Sequence, residues 1–450
     1  MAEPAKDRLR STPVPNDDSR REFLRGSSLL LAGAVPAVLG ASPTPAAVGA
    51  TARSSSCLLP QRTLRVGLIG CGRRGVQLCT QLFKAAPHAR LRAVADVFED
   101  RLQQSLRGMK SRFSEQFAIQ PQHRYVGLDA FQQLLSSDVD LVVLATAPGF
   151  RPQHMMAAVD AGKHVVAARA IATDVAGVEQ FLSASRLAHQ KQLAVSVALD
   201  QRHDPRIAAT VAQLHAGAIG TISTISTHCT APALPSRSST PSNHNSNTHL
   251  EDQLRNWMHF DWTGGGGMLE TFVDRMDLCN WILDGNPLEA ECVGEIAPTQ
   301  SLHQVDRPVA ITYRYAGGVQ VDACWKPAGI KPNHPVQQRS STTPYPVAVY
   351  GSRGWCDVLA GKIYDQHHQL IWETRPALRE TASNGNQGLV GSQAGTAGAP
   401  AGQLASPWTW LHGAPLPQDG EHAAFGTMAA ILGRTAAISS QVQTWPSAPA

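Results

Sequence analysis

The chain has 450 residues, 43% of them hydrophobic and 16% charged, with a formal net charge of +4. That length excludes a small disulfide or metal scaffold as the main architecture, and the apolar share excludes disorder throughout. The small charge and the lack of any Lys/Arg-rich block interleaved with aromatics argue against a nucleic-acid partner.

The N-terminal segment reads as an address. Ser19-Arg20-Arg21-Glu22-Phe23-Leu24 precedes an Ala/Leu-rich run at 28–41, which resembles a twin-arginine export signal, and the Pro/Ala/Ser-rich stretch to about Ser56 reads as cleavage region and linker. The bland alternative is a basic helix start before a short buried helix. The export reading makes residues 1–60 signal and linker and places the mature chain in the periplasm. No other window holds the ~20 continuous apolar residues of a membrane span.

The folded body opens on Leu64-Arg65-Val66-Gly67-Leu68-Ile69, a run suited to a buried parallel strand. Gly70-Cys71-Gly72-Arg73-Arg74-Gly75 follows, then a helical stretch at 76–86. A second strand, Leu91-Arg92-Ala93-Val94-Ala95, ends in Asp96, about 20 residues beyond Gly75, the spacing at which an acid meets a ribose hydroxyl. Gly70 permits the tight turn, Gly72 lets backbone approach a pyrophosphate, and Gly75 allows close helix packing. The helix N-terminus turns N–H groups toward the phosphates. Dinucleotide binding is expected, NAD rather than NADP because the Asp96 carboxylate repels an added phosphate. Arg73 and Arg74 weaken that preference, since each is either a solvated helix start or a phosphate or adenine contact.

Alternation then continues. Residues 98–117 read helical, Asp140-Leu141-Val142-Val143-Leu144-Ala145 is a strand, 152–161 a helix, and His164-Val165-Val166-Ala167 a strand. A helix at 175–190 leads to a last strand at Leu193-Ala194-Val195-Ser196-Val197. The pattern predicts a doubly wound parallel sheet with its ligand crevice at the strands' C-terminal ends. Thr146-Ala147-Pro148 and Arg169 fall at that rim. Further on, Val309-Ala310-Ile311-Thr312-Tyr313-Arg314-Tyr315 and Val319-Gln320-Val321-Asp322-Ala323-Cys324-Trp325, joined by Ala316-Gly317-Gly318, predict a hairpin with one buried face. Residues 232–247 and 381–406 read as loose, and a helix at 421–440 is expected to return to the body. The eight cysteines, Cys57, Cys71, Cys79, Cys229, Cys279, Cys292, Cys324 and Cys356, show no zinc spacing, and no disulfide or metal is assigned.

Several segments in order carry a family resemblance: Val66 through Gly72, Asp140 through Pro148, Ala161-Gly162-Lys163-His164-Val165, Gln201-Arg202-His203-Asp204-Pro205 and Gly217-Ala218-Ile219-Gly220. The chain resembles the Gfo/Idh/MocA family of nicotinamide-dependent oxidoreductases. Gln253-Leu254-Arg255-Asn256-Trp257, Gly265-Gly266-Gly267-Met268-Leu269-Glu270 and Gly433-Arg434 are similar to its exported, twin-arginine branch in planctomycete-like bacteria. The resemblance implies an α/β fold: a Rossmann domain at 61–200 and a substrate domain at 201–450 around an open, mostly antiparallel sheet. It also leaves room for a homo-oligomer built through that sheet.

At the catalytic positions the chain departs from the family. Where relatives carry Glu-Lys-Pro after the fifth strand, it has Ala168-Arg169-Ala170, so the lysine's match is Arg169, which keeps charge but cannot easily shuttle a proton. Losing the proline is expected to alter the local backbone. Where the branch shows an acid, then a histidine four residues on, then an aspartate, the chain has Glu270, Asp274 and Asp277. The i, i+4, i+7 spacing puts all three on one helix face. Asp274 replaces the histidine, and its unperturbed pKa of about 4 makes it a weak base unless Glu270 or burial raises it. The bland alternative is a polar helix face paired with arginines. Gly149 stands where relatives often have a histidine. Arg202, His203, Arg255, Trp257 and His259 match or neighbour substrate-pocket segments.

The resemblance thus implies hydride transfer between NAD and a sugar, sugar-acid or cyclitol carbon. Arg169, Glu270 and Asp274 are the catalytic candidates. Gly70, Cys71, Gly72, Arg73, Arg74, Gly75, Asp96, Thr146 and Pro148 are those for the cofactor. The alternatives are NAD-recycling glycoside cleavage and a member that binds nucleotide and carbohydrate without turnover.

Overall fold

The computed structural model describes residues 63–231, 247–293, 308–328, 345–374, 408–412 and 415–446. The signal and linker read at 1–60, Cys57, nearly all of the loop at 232–247 and the insert at 381–406 lie outside them.

The first half runs β1 (Leu64–Ile69), α1 (Arg73–Ala85), β2 (Ala89–Asp96), α2 (Glu99–Arg112), β3 (Arg124–Val126), α3 (Ala130–Leu135), β4 (Leu141–Leu144), α4 (Arg151–Asp160), β5 (His164–Ala167), α5 (Val175–Gln190), β6 (Val195–Val197) and α6 (Pro205–His215). Its strands form a six-stranded parallel sheet in the order β3-β2-β1-β4-β5-β6. The apolar runs of β1 and β4 are buried because helices cover both faces. Strand order reverses between β1 and β4, so the loops leaving their C-terminal ends part and open a crevice. Side chains begin two of the helices: Asp174 accepts from Gly177 N at 2.8 Å, and Asp204 from Arg206 N at 2.9 Å ahead of α6.

Two readings shift. The helix expected over 98–117 stops at Arg112, because residues 116–118 turn back to pair with Leu91: Leu91 N donates to Gln116 O at 2.8 Å and Ala118 N to Leu91 O at 3.0 Å. β3 is a three-residue edge strand that no apolar run announces.

The second half comprises β7 (Ile222–Ala231), α7 (Asn247–Arg255), a 3-10 turn at Trp257–His259, α8 (Asp261–Gly264), α9 (Gly266–Leu283), β8 (Glu289–Val293), β9 (Val309–Arg314), β10 (Gln320–Pro327), β11 (Val347–Gly351), β12 (Gly354–Asp357), β13 (Lys362–Asp365), β14 (Leu370–Glu373), α10 (Gly420–Ser439) and β15 (Gln443–Thr444). These strands make a nine-stranded sheet, β14-β13-β12-β11-β7-β10-β9-β8-β15, antiparallel throughout except where β7 runs parallel to β10. The expected hairpin is β9–β10, closed by Tyr315 N donating to Val319 O at 2.9 Å. α9 packs on β7 and β10, and α10 lies against α9, α5, β8 and β9, so the last helix touches both sheets.

Among the described residues no helix is long and apolar enough to cross a membrane, and no group of His, Cys, Asp or Glu is gathered that could hold a metal ion. The described cysteines are all free.

Candidate functional site

The loop between β1 and α1 is shaped by what its glycines leave out. Gly70 sits at φ +94, and a β-carbon there would meet the Ala145 carbonyl carbon at 2.6 Å. A β-carbon on Gly75 would stand 2.3 Å from Gly70 O, so α1 starts directly over the turn only because that atom is missing. On Gly72 the same atom would meet nothing within 4 Å. Open space over Gly72, with the first N–H groups of α1 lacking intrahelical acceptors, makes a cradle that fits a pyrophosphate.

Asp96 closes the other side. Its Oδ2 accepts from Cys71 N at 2.7 Å and its Oδ1 from Phe98 N at 2.9 Å. Burial raises this carboxyl above its ordinary pKa while those two N–H groups pull it down. Each oxygen keeps a further lone pair for a ribose diol. Thr146, after β4, has Oγ1 3.2 Å from His154 Nδ1, and Pro148 opens the turn that follows. The His154 ring is buried, its pKa lowered to about 3 by desolvation, so it stays neutral behind Thr146. Arg73 is exposed, whereas Arg74 reaches Asp200. The loop and Asp96 together fit a dinucleotide.

Across the crevice, the structure brings the three catalytic candidates together. Arg169, just past β5, pairs through Nε with Asp274 Oδ1 on α9, their side chains 20% and 14% exposed. Glu270, one turn earlier, buries Oε2 without a hydrogen-bond partner among the described residues. Burial raises the pKa of both carboxyls, against the lowering pull of Arg169. Burial works against the Arg169 charge as well, but Asp274, Asp200 and Glu270 hold its pKa above the ordinary value. The Arg169–Ala170 peptide is cis with no proline present.

Two residues of this cluster escaped the sequence reading. Arg151, at the start of α4, is buried with its guanidinium donating to Ala170 O; burial lowers its pKa to about 10, and Glu270 is the acid that opposes this. Asp200, past β6, lies 3.1 and 3.2 Å from Arg74 Nη2 and 3.9 Å from Arg169 Nη1. Both follow parallel strands at the rim where a doubly wound sheet holds its ligand, and that position was their only signal.

The substrate candidates are dispersed. Arg202 Nε donates to both oxygens of Asp277, at 2.9 and 2.8 Å, and its guanidinium lies 5.1 Å over the Trp281 ring. Burial pushes the Asp277 carboxyl up to about 7 and Arg202 draws it back. His203 Nε2 lies 3.8 Å from Asp419 Oδ2, which accepts from Ser196 Oγ at 2.8 Å. Arg255 is held away from Asp274: it pairs with Asp100 at 3.1 Å and lies 4.0 Å over the Phe98 ring, beside the end of β2. Trp257 accepts from Thr263 Oγ1 at 2.8 Å through its carbonyl, and His259 ends the same turn.

Comparison with known proteins bears on the fold. Residues 64–199 match the GFO_IDH_MocA model, an oxidoreductase family with an NAD-binding Rossmann fold. An inositol 2-dehydrogenase of Acidothermus cellulolyticus is 26% identical over 261 residues, 58% of this chain and 65% of that protein. A glycosyl hydrolase family 109 protein of Saccharopolyspora erythraea is 32% identical over 167 residues, covering 36% of this chain and 34% of its own length. The chain therefore spans less than two thirds of these relatives. The structure of scyllo-inositol dehydrogenase from Lactobacillus casei, with bound NAD(H) and scyllo-inositol, superposes with a TM-score of 0.53 at 16% identity, over 85% of this chain and 99% of that one. It shares the two-sheet fold.

Proposed function

We propose, from a Rossmann domain of the Gfo/Idh/MocA oxidoreductase type, that the chain is an NAD-dependent dehydrogenase of a sugar, sugar-acid or cyclitol hydroxyl. The observation that carries this reading is the Arg169–Asp274–Glu270 cluster facing the glycine loop across the crevice.

Gly70, Gly72, Gly75 and the first turn of α1 would hold the pyrophosphate, and Asp96 the adenosine ribose. NAD bound there supplies a hydride acceptor for oxidising a secondary alcohol to a ketone. The chain's own part is the proton. Asp274 takes the hydroxyl proton as the carbonyl forms, and its raised pKa makes it a stronger base than an exposed aspartate. Arg169, charged at every working pH, orients the substrate oxygen but passes no proton on. Glu270, with its Oε2 buried, and buried Arg151 flank the pair and add one charge of each sign beside it.

Incubation with NAD and a panel of sugars, inositols and uronic acids, read by the absorbance of reduced nicotinamide, tests the proposal. Turnover that Asp274→Asn abolishes supports it. Activity appearing only in Arg169→Lys with Asp274→His would overturn it in favour of a binder without turnover.

The preference for NAD over NADP rests on Asp96. Export belongs to the same reading: the Arg20-Arg21 pair marks a twin-arginine leader to the periplasm, and Arg20→Lys with Arg21→Lys should hold the protein in the cytoplasm.

A further inference from the structure

Asp200 is the acid that the glycine loop and the catalytic pair share. Arg74, the second residue of α1, sets Nη2 3.1 and 3.2 Å from its two oxygens. On its far side stands Arg169 Nη1, 3.9 Å from Oδ2, and Arg169 in turn binds Asp274 through Nε. The row Arg74–Asp200–Arg169–Asp274 thus alternates in sign from the cofactor cradle to the base. Its two acids differ in exposure: the Asp200 side chain is 52% exposed and Asp274 only 14%.

As it stands, the pairing works against catalysis, because the base is tied to a guanidinium. Arg74, however, leaves a helix N-terminus that fits a pyrophosphate, a better partner for a guanidinium than one half-exposed carboxylate. Asp274 faces Arg169 from the loop after β5, Asp200 from the loop after β6, Arg74 from α1, and Glu270 and Arg275 on its own helix. Of these, only Arg74 and Asp200 lie toward the glycine loop.

We infer that a dinucleotide pyrophosphate in the cradle draws Arg74 from Asp200, that Asp200 then takes a larger share of Arg169, and that Asp274 is thereby loosened to accept the substrate proton. Asp200 is a positioning residue, and it makes cofactor binding a condition for a working base. The inference rests on the cofactor reading above.

The test reads binding rather than turnover. NADH is titrated by its fluorescence into the parent chain, Asp200→Asn, Arg74→Gln and the double variant. Asp200→Asn should bind NADH about 3- to 5-fold more tightly, the scale of a half-exposed ion pair that no longer has to break. Arg74→Gln should bind more weakly, and in its background Asp200→Asn should gain nothing. Asp200→Asn should also lower kcat more than it changes KM for the alcohol, as loss of positioning predicts. Asp200→Ser, with a melting temperature matched to the parent, serves if the amide variant misfolds. Parent chain that fails to bind NADH overturns the cofactor reading and this inference with it. Parent binding with no gain in Asp200→Asn, or a gain that survives in Arg74→Gln, overturns the inference alone.

Discussion

Gly149 lies so close to Trp262 that a β-carbon built on it would stand 2.2 Å from the Trp262 carbonyl oxygen. The turn after β4 and the short helix α8 meet here backbone to backbone. Around that contact, the Phe150 and Trp262 rings stand 5.7 Å apart edge to face, and Thr173 Oγ1 donates to the same carbonyl at 3.3 Å. A larger side chain, such as the histidine that the resemblance implies here, therefore has no room. Gly149→Ala should cost about 1–3 kcal/mol by overpacking. Chemical denaturation reads the loss, and a variant as stable as the parent would show the contact to be slack.

Asp96 holds the Cys71 and Phe98 N–H groups and, on the proposed reading, a ribose diol as well. Asp96→Ala should weaken NADH binding about 10- to 100-fold, as expected for lost hydrogen bonds to a charged group, and narrow the preference over NADPH. Fluorescence titration with both nucleotides measures it. Equal affinities in the unmodified chain would sink the assignment.

Burial raises the Asp274 pKa, so its proton leaves above the usual aspartate range. Because the base must be deprotonated, activity should be lost as pH falls through that raised value and should level off above it. The acid limb of kcat/KM should then lie above pH ~4, the unperturbed aspartate value. Asp274→Asn should lower turnover about 10²- to 10⁴-fold and remove that limb. An active variant with the limb unchanged would assign the proton to another group, with His203 the first to examine.

Arg434 on α10 is buried. It donates to Asp261 Oδ1 at 2.9 Å, Gly265 O at 2.9 Å and Thr173 O at 2.8 Å, and burial lowers its pKa. Arg434→Met takes the guanidinium donors from two carbonyls and a carboxylate. Because Asp261 is a third exposed, the loss should fall somewhat under that of a fully buried pair, at about 2–4 kcal/mol. Urea unfolding monitored on both domains checks this, and an unchanged midpoint would refute it.

What could be read from the sequence was what neighbours in the chain decide. The glycine loop, Asp96 and the helix at 175–190 depend on spacings within one strand–turn–helix unit, and the structure has them where the pattern placed them. β3 stayed hidden because Arg124-Tyr125-Val126 carries no apolar run; pairing with β2 alone makes it a strand. Asp200 meets Arg74 across 126 positions, and Arg255 meets Asp100 across 155, separations that no local pattern encodes. The Arg169–Asp274 pair could be named as two positions, yet the Nε contact that ties the base to its neighbour is visible only once the loop after β5 meets α9.

The partners of Arg434 lie 261, 173 and 169 positions before it. A ribosome therefore releases almost the whole chain before that guanidinium can reach them. Until then α5, β8 and β9 lack the cover that α10 gives them in the finished fold. The Rossmann half waits as well: its core takes in Trp408, Trp410 and Leu411, and β6 pairs with the chain just before α10, Val195 N donating to Pro417 O at 3.0 Å and Asp419 N to Val195 O at 3.0 Å. Nascent chains halted before α10 emerges should thus pair with chaperones or with each other through the surfaces left uncovered, and should become resistant to protease in one late step as α10 docks.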